Sequence, residues 1–263
     1  MASVKKKELG TKVHFPKRVP TGIPGFDELV DGGFPANSAV LISGSPGVGK
    51  SVFCMQYLLN GAKHYGEEGL YVTFEQKSNA IVNQAAQFGW DLHNLQKKGK
   101  LHIMSIPVRN ITKNTIHEIK SFVKEKRIKR LVVDSLSTII VNAPIYQATS
   151  DLAIKQILDE HTILSPPIVG DYVIRRFIYE FIEDLRELGC TSLLISEAAH
   201  GTDPISRDTL SEFACDGIVA LSFTSVKKDF PKSIIVRKMR QTRNDERAHP
   251  LEIDGKGIIV HHL

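Results

Sequence analysis

Eight consecutive residues, Gly44-Ser45-Pro46-Gly47-Val48-Gly49-Lys50-Ser51, fill every fixed position of the phosphate-binding pattern G-x-x-x-x-G-K-[ST]. A loop of this kind needs a buried strand to deliver it and a helix to leave it, because its glycines turn successive backbone N–H groups inward around a phosphate. Both flanks are present. Ser38 to Ser43 reads as a short buried strand, and Val52, Phe53, Met55, Gln56, Tyr57, Leu58 and Leu59 open a helix that runs to about Tyr65-Gly66. In this arrangement Gly44 to Val52 cradle the nucleotide, Lys50 reaches the β- and γ-phosphate oxygens, and Ser51 offers a hydroxyl to Mg²⁺. The chain is therefore an α/β protein built around a nucleotide site.

A chain of 263 residues with 42% hydrophobic content is long enough for one large α/β domain, expected over residues 19–263, after a basic, flexible tail over 1–18. Apolar runs are short and interrupted, so no membrane span is expected. Met1 to Pro20 is basic without an apolar stretch of signal-peptide type, so the expected location is cytoplasmic. Cys54, Cys190 and Cys215 lie far apart in apolar segments and form no C-x-x-C pair, which makes them reduced core residues. The net charge of +5 gathers at Lys5-Lys6-Lys7, Lys124 to Arg130 and Arg237 to Arg247. The first two clusters read as a solvated tail and a solvated helix end.

The turn-rich stretch Val19 to Leu29, followed by Gly32-Gly33-Phe34-Pro35, predicts a tight cap running into the first strand. Gly69 to Phe74 predicts a strand ending at Glu75-Gln76, after which Ser78 would cap a helix reaching Phe88. Glu75, at the C-terminal edge of a parallel strand where ligands bind, is a candidate base. Leu101 to Ser105 reads as a strand and Asn114 to Lys126 as a helix. Arg130 to Asp134 is an apolar strand ending in an acid that suits Mg²⁺ coordination, so Ser51 and Asp134 form the expected metal pair. The connection Asn142 to Asp171 is too long for a bare loop and holds an extra helical pattern from Thr149 to Leu158, closed by Pro166-Pro167. It could be a packing embellishment or a partner-facing arm. A helix from Val173 to Leu188 leads to a strand at Thr191 to Ser196, and Ala198 to Phe213 reads as a mobile loop. Strands at Gly217 to Phe223 and Ser233 to Met239 precede a hairpin of Leu251 to Ile253 and Gly257 to Val260. Alternation early and strands late predict a mostly parallel central sheet with an antiparallel C-terminal extension.

Thr21 to Leu29 with Gly32-Gly33, the phosphate loop, Phe74-Glu75, Leu131 to Ser135, Lys238-Met239-Arg240-Gln241-Thr242 and His249-Pro250 together resemble the KaiC-like branch of the RecA/RadA ATPases. The likeness runs from about Pro20 to the end and is closest to single-domain archaeal members. It implies a RecA-like core, ATP with Mg²⁺ bound at subunit interfaces, and a homo-oligomer, such as a hexameric ring. By the same resemblance Glu75 polarises the attacking water, while Lys238 and Arg240 match a K-x-R pair that reaches the γ-phosphate of a neighbouring subunit. The chain departs from the family in three places. Glu75-Gln76 stands where many members have two glutamates, Glu212-Phe213 falls where the clock protein carries its phosphorylated Ser-Thr pair, and the connection 142–171 is long.

The favoured function is an oligomeric, nucleotide-dependent ATPase switch or regulator. A RecA/RadA-like DNA-binding ATPase ranks second, because the loops that would meet DNA, 142–171 and 198–213, are poor in Lys and Arg and carry Asp151, Asp159, Glu160 and Asp203. A non-hydrolysing, ATP-gated partner of a larger machine, docking through 142–171, is the third. A small-molecule kinase lacks any acceptor or lid motif, and adenine over guanine rests on the resemblance, since no N-K-x-D motif is present.

Overall fold

A computed structural model describes residues 16–112, 114–140, 166–198, 210–226 and 230–263; within 166–173 only the backbone is described. Most of the expected tail, the helix expected at Thr149 to Leu158 and most of the loop after Ala198 lie outside the described residues.

In chain order the elements are β1 (Arg18–Val19), β2 (Phe34–Pro35), β3 (Ala39–Gly44), α1 (Lys50–His64), β4 (Gly69–Thr73), α2 (Ser78–Ala86), α3 (Leu92–Lys97), β5 (Leu101–Ser105), α4 (Thr115–Lys126), β6 (Arg130–Asp134), α5 (Pro166–Glu187), β7 (Thr191–Glu197), α6 (Ser211–Ala214), β8 (Gly217–Ser222), β9 (Lys232–Met239), β10 (His249–Asp254) and β11 (Gly257–Val260). Among the described residues, nine strands form one sheet in the order β11-β10-β9-β8-β3-β7-β6-β4-β5, and β1 pairs with β2 in a separate ribbon. The strands from β8 to β5 are parallel, whereas β9, β10 and β11 add antiparallel. The expected parallel sheet with its antiparallel extension is what the chain forms.

Why the centre is parallel can be read in its strands. Leu41 and Ile42 in β3, Val132 and Val133 in β6, and Leu193 and Leu194 in β7 are fully buried on both faces, as crossover helices require. One core layer holds α1 against the sheet with Phe26, Phe34, Phe53 and Tyr57; the other holds α4 and α5 through Ile119, Val123, Phe177, Phe181 and Leu185. Helix α1 is buried along nearly its whole length because the C-terminal hairpin closes over it. Its polar residues turn this burial to use. The Gln56 side-chain amide donates to the Ile258 carbonyl (3.1 Å) and its oxygen accepts from the Ile258 N–H (2.7 Å), while Asn60 donates to the Thr21 carbonyl (3.0 Å). The expected cap is tied by Asp27, whose carboxylate accepts from the Thr21 N–H, the Thr21 hydroxyl and the Gly22 N–H at 2.7–2.9 Å.

Several expectations are corrected. Helix α2 starts at Ser78, with Lys77 as the cap position and no side-chain capping bond, and it ends at Ala86 rather than Phe88. Helix α5 begins at Pro166, seven residues before the expected Val173, so the Pro166-Pro167 pair opens a helix. Proline suits a first helical turn, where its missing N–H would have no partner and its fixed φ is already helical. Helix α3, capped by Asp91 accepting from the Asn94 N–H (2.9 Å), was not expected. Phe213, placed in the loop, belongs to α6. The cluster ending at Arg130 is not wholly a solvated helix end, because Arg130 is fully buried.

Candidate nucleotide site

The ends of β3, β7, β6 and β4 lie side by side because these strands are neighbours in register: Gly44 pairs with Glu197 and Thr73 with Asp134. Hydrogen bonds from Phe74 N–H to the Asp134 carbonyl (2.9 Å) and from Ala198 N–H to the Gly44 carbonyl (3.3 Å) continue that register past the strand ends. The phosphate loop, Glu197, Asp134 and Glu75 thus share one edge of the sheet.

Glycine is required in this loop by crowding as well as by conformation. At Gly49 (φ +121°) a Cβ would lie 2.6 Å from Ile253 Cδ1, and at Gly44 (φ +150°) one would lie 2.3 Å from the Leu221 carbonyl oxygen. Pro46 and Gly47 are exposed at the loop tip, Ser45 is half-buried, and Val48 and Val52 turn their side chains into the core. What Val52 can give a ligand is therefore its backbone N–H in the first turn of α1, where N–H groups have no intrahelical acceptor and the helix dipole favours an anion.

Lys50 is buried, and its ammonium donates to the Gly44 carbonyl (2.7 Å) and the Ser45 carbonyl (3.0 Å). Burial draws its pKa down, opposed by the nearby Glu197 and Asp134 carboxylates. Asp134 is 6% exposed, and burial pushes its pKa up against the hydrogen bond from Tyr71. Its Oδ2 accepts from the Tyr71 hydroxyl and from Ser51 Oγ (3.2 Å). A buried carboxylate held by two neutral hydroxyls, one of them from the loop, suits a hard divalent cation. Two protein oxygens are also the usual protein share for Mg²⁺, the remainder coming from phosphates and waters. Among the described residues, no cluster of three or more His, Cys, Asp or Glu offers a competing all-protein metal cage.

Glu75 is exposed beside this pair. Its Oε1 accepts from Thr138 Oγ1 (2.7 Å) and Ser135 Oγ (3.0 Å). Its turn is braced by Thr73 Oγ1, which accepts from the N–H groups of Glu75 (3.3 Å) and Gln76 (3.2 Å), and by Ser105 Oγ donating to the Gln76 carbonyl (2.7 Å). The structure thus brings Gly44 to Val52, Asp134 and Glu75 together.

Lys238 and Arg240 lie elsewhere. Arg240 follows β9 at the end where its N–H donates to the Asp216 carbonyl (2.9 Å) and the Asp216 N–H to the Ala39 carbonyl (2.8 Å). Ala39 opens the strand that Gly44 closes, which separates the two by roughly 16 Å at about 3.3 Å per residue. The Arg240 guanidinium is 3.4 Å from the Asp216 carboxylate, which Arg186 also engages (3.0 Å). The Lys238 ammonium donates to the carbonyls of Glu212, Phe213 and Cys215 at 2.7–3.3 Å, and burial lowers its pKa.

Reading the sequence missed Tyr71, Glu197, Ser135 and Thr138 as parts of this edge. Tyr71 carried a usable signal: it lies two residues before Thr73, the partner of Asp134, and so on the same strand face. The hydroxyls of Ser135 and Thr138 carry none, since they belong to the turn and the helical stretch 136–140 by which the chain leaves the sheet.

A protein-family model described as "ATPase: KaiC" matches residues 19–163 and 141–263. A UPF0273 protein of Methanocaldococcus jannaschii is 35% identical over 248 residues, covering 93% of this chain and 96% of that one. The circadian clock oscillator protein KaiC of Prochlorococcus marinus is 30% identical over 253 residues, covering 93% of this chain but 46% of its own length. Among solved structures, a KaiC-like protein from Pyrococcus horikoshii OT3 matches with a TM-score of 0.74 and 33% identity, covering 94% of this chain and all of that one. With the phosphate loop, the acidic strand end and the sheet order already in place, these matches make the chain a member of the KaiC ATPase family.

Proposed function

We propose that residues 19–263 form a single ATPase domain that binds Mg²⁺-ATP at Gly44 to Val52, hydrolyses it with Glu75 as base, and works in the cytoplasm as a homo-oligomeric nucleotide-dependent switch. The observation that carries this reading is the adjacency of Ser51, Asp134 and Glu75: Ser51 bonds Asp134, and Glu75 is tied to Ser135, the next residue.

In this mechanism Lys50 leaves the Gly44 and Ser45 carbonyls for the β- and γ-phosphate oxygens, while the loop N–H groups hold the β-phosphate. Ser51 and Asp134 would hold Mg²⁺, which would supply positive charge against the negative charge that develops on the phosphate. Glu75 keeps Oε1 on its two hydroxyl donors and uses Oε2 to orient the attacking water and accept its proton. Lys238 and Arg240 lie toward the start of β3 and serve the site of a neighbouring subunit. A cation supplied in trans in this way is worth about 10³ to 10⁵ in rate. Their present partners, carbonyl oxygens and a shared carboxylate, can be exchanged when a phosphate is offered. Subunit contacts then depend on the nucleotide, which is what a switch requires, and the segment 142–171, of which 142–165 lie outside the described residues, is proposed to meet a protein partner.

The test is phosphate release from Mg²⁺-ATP per subunit as protein concentration rises, with Arg240→Ala measured alongside. Specific activity is expected to climb with concentration, and the variant to lose at least about 100-fold. Activity independent of concentration in both proteins would refute a shared site. ATP binding without turnover would instead fit an ATP-gated partner, a reading that the neutral Gln76 beside Glu75 favours.

A further inference from the structure

We infer that Thr138, acting with Ser135, is the positioning residue for the Glu75 carboxylate; this rests on the reading of Glu75 as the base. Glu75 leaves the sheet on an exposed turn after β4, where an unrestrained glutamate samples several rotamers. Nothing on its own turn fixes the carboxylate, since Thr73 and Ser105 engage only the backbone of residues 75 and 76. The restraint comes from Ser135, the turn residue after β6, and from Thr138 in the helical stretch 136–140 that follows it.

Counting protons assigns the bonds. Each hydroxyl has one proton to donate, and an ionised carboxylate only accepts. The Thr138 N–H donates to Ser135 Oγ (3.3 Å), which leaves the Ser135 proton free for Glu75 Oε1 (3.0 Å), and Thr138 Oγ1 donates to the same oxygen (2.7 Å). The 2.9 Å approach of the two hydroxyl oxygens is then the result of both pointing at one acceptor. Two donors on Oε1 restrain the carboxylate and leave Oε2 with no hydrogen-bond partner among the described residues. Thr138 also lies four residues beyond Asp134, so the base is referenced to the strand end that holds the metal anchor. Positioning of this kind affects the chemical step more than binding, because a misplacement near 1 Å can cost about 100-fold in rate.

The experiment compares Thr138→Val, which keeps the shape and loses the donor, with Thr138→Ser, which keeps the donor, in the full chain. Thr138→Val should lower kcat for Mg²⁺-ATP by about 10- to 100-fold. KM and the ATP dissociation constant should stay within about twofold and Thr138→Ser should recover most of the rate, since neither binding nor the retained hydroxyl is disturbed. On a Glu75→Gln background Thr138→Val should cost little further, because the two act as a unit. The inference is overturned if Thr138→Val hydrolyses like the parent, if Thr138→Ser is as slow as Thr138→Val, or if the loss is undiminished in Glu75→Gln. If Glu75→Gln itself turns over like the parent, the base assignment falls and takes this inference with it. A slow Glu75→Gln beside an unaffected Thr138→Val overturns only the role of Thr138.

Discussion

The two ends of β6 carry opposite buried charges that are treated in opposite ways. At its start Arg130 is fully buried and closed in: it donates to Glu67 (2.6 Å) and to the Tyr57 carbonyl (2.9 Å), and its guanidinium lies 4.5 Å from the Tyr57 ring centroid and 5.0 Å from that of Tyr65. At its end Asp134 is nearly as buried, yet its hydrogen-bond donors are the neutral hydroxyls of Tyr71 and Ser51, and no ion pair reaches it among the described residues. Arg130 Nη2 has no hydrogen-bond partner among the described residues, so the ion pair and the two aromatic rings carry the burial of this charge. A charge met by hydroxyls that can turn aside keeps its capacity for a cation, at some expense to the unliganded fold.

The most severe break in this comparison is at the open end. Lys50→Ala should leave a folded protein, because the ammonium bonds only loop carbonyls, but ATP affinity should fall by about 100-fold or more, as removing a charge-assisted contact to phosphate implies. Equilibrium binding by calorimetry checks this, and an unchanged affinity would sink the assignment of the site. At the closed end Arg130→Ala should cost about 3–5 kcal/mol, since it leaves Glu67 and a buried space without their partner. That corresponds to a fall in Tm of about 6–20 °C for a chain of this size. ATP affinity in the folded variant should stay unchanged, so a thermal melt and a binding isotherm together separate the two ends.

The smallest effect is expected at Asp134. Burial raises its folded pKa above the unfolded value, so its protonated form is the one that favours folding. That contribution is fully present below the unfolded pKa and is lost as pH rises through the folded pKa. In the absence of Mg²⁺, Asp134→Asn should therefore be more stable than the parent at neutral pH, with the difference shrinking toward the ordinary carboxylate range. Adding Mg²⁺ with nucleotide should stabilise the parent more than the variant, which keeps the phosphate loop and Lys50 but loses the metal anchor. Denaturant titrations across pH would expose a wrong sign directly.

How much of this was legible depends on whether the signal was local. The phosphate loop could be read because its glycines and Lys50-Ser51 answer to backbone conformation and to phosphate, both written into eight consecutive residues. The strands β3, β4, β6 and β7 could be read because burial on both faces demands continuous apolar runs. Arg130 could not, since in sequence it continues a basic helix end, and only the packing of Tyr57, Tyr65 and Glu67 makes burial of a guanidinium tolerable. Thr138 is equally invisible, because its bond to Glu75 spans 63 residues and depends on how the turn after β4 meets the helical stretch 136–140. The start of α5 at Pro166 is hidden for a different reason: proline is a stop in a helix interior and a start in its first turn, and the pattern of apolar residues alone does not say which.

The closure of the C-terminal hairpin over α1 has a consequence for how the protein is made. Asn37, just before β3, donates to a threonine hydroxyl 154 residues further on, and Gln56, in the helix that follows the phosphate loop, exchanges hydrogen bonds with a residue 202 positions later. The central strand therefore leaves the ribosome long before either of its neighbours, β7 and β8, and the loop is synthesised well before the Ile253 side chain that crowds Gly49. Contacts so distant in sequence form slowly and expose apolar surface while they wait. The nucleotide site, the earliest signature in the chain, is among the last parts of the molecule to be completed.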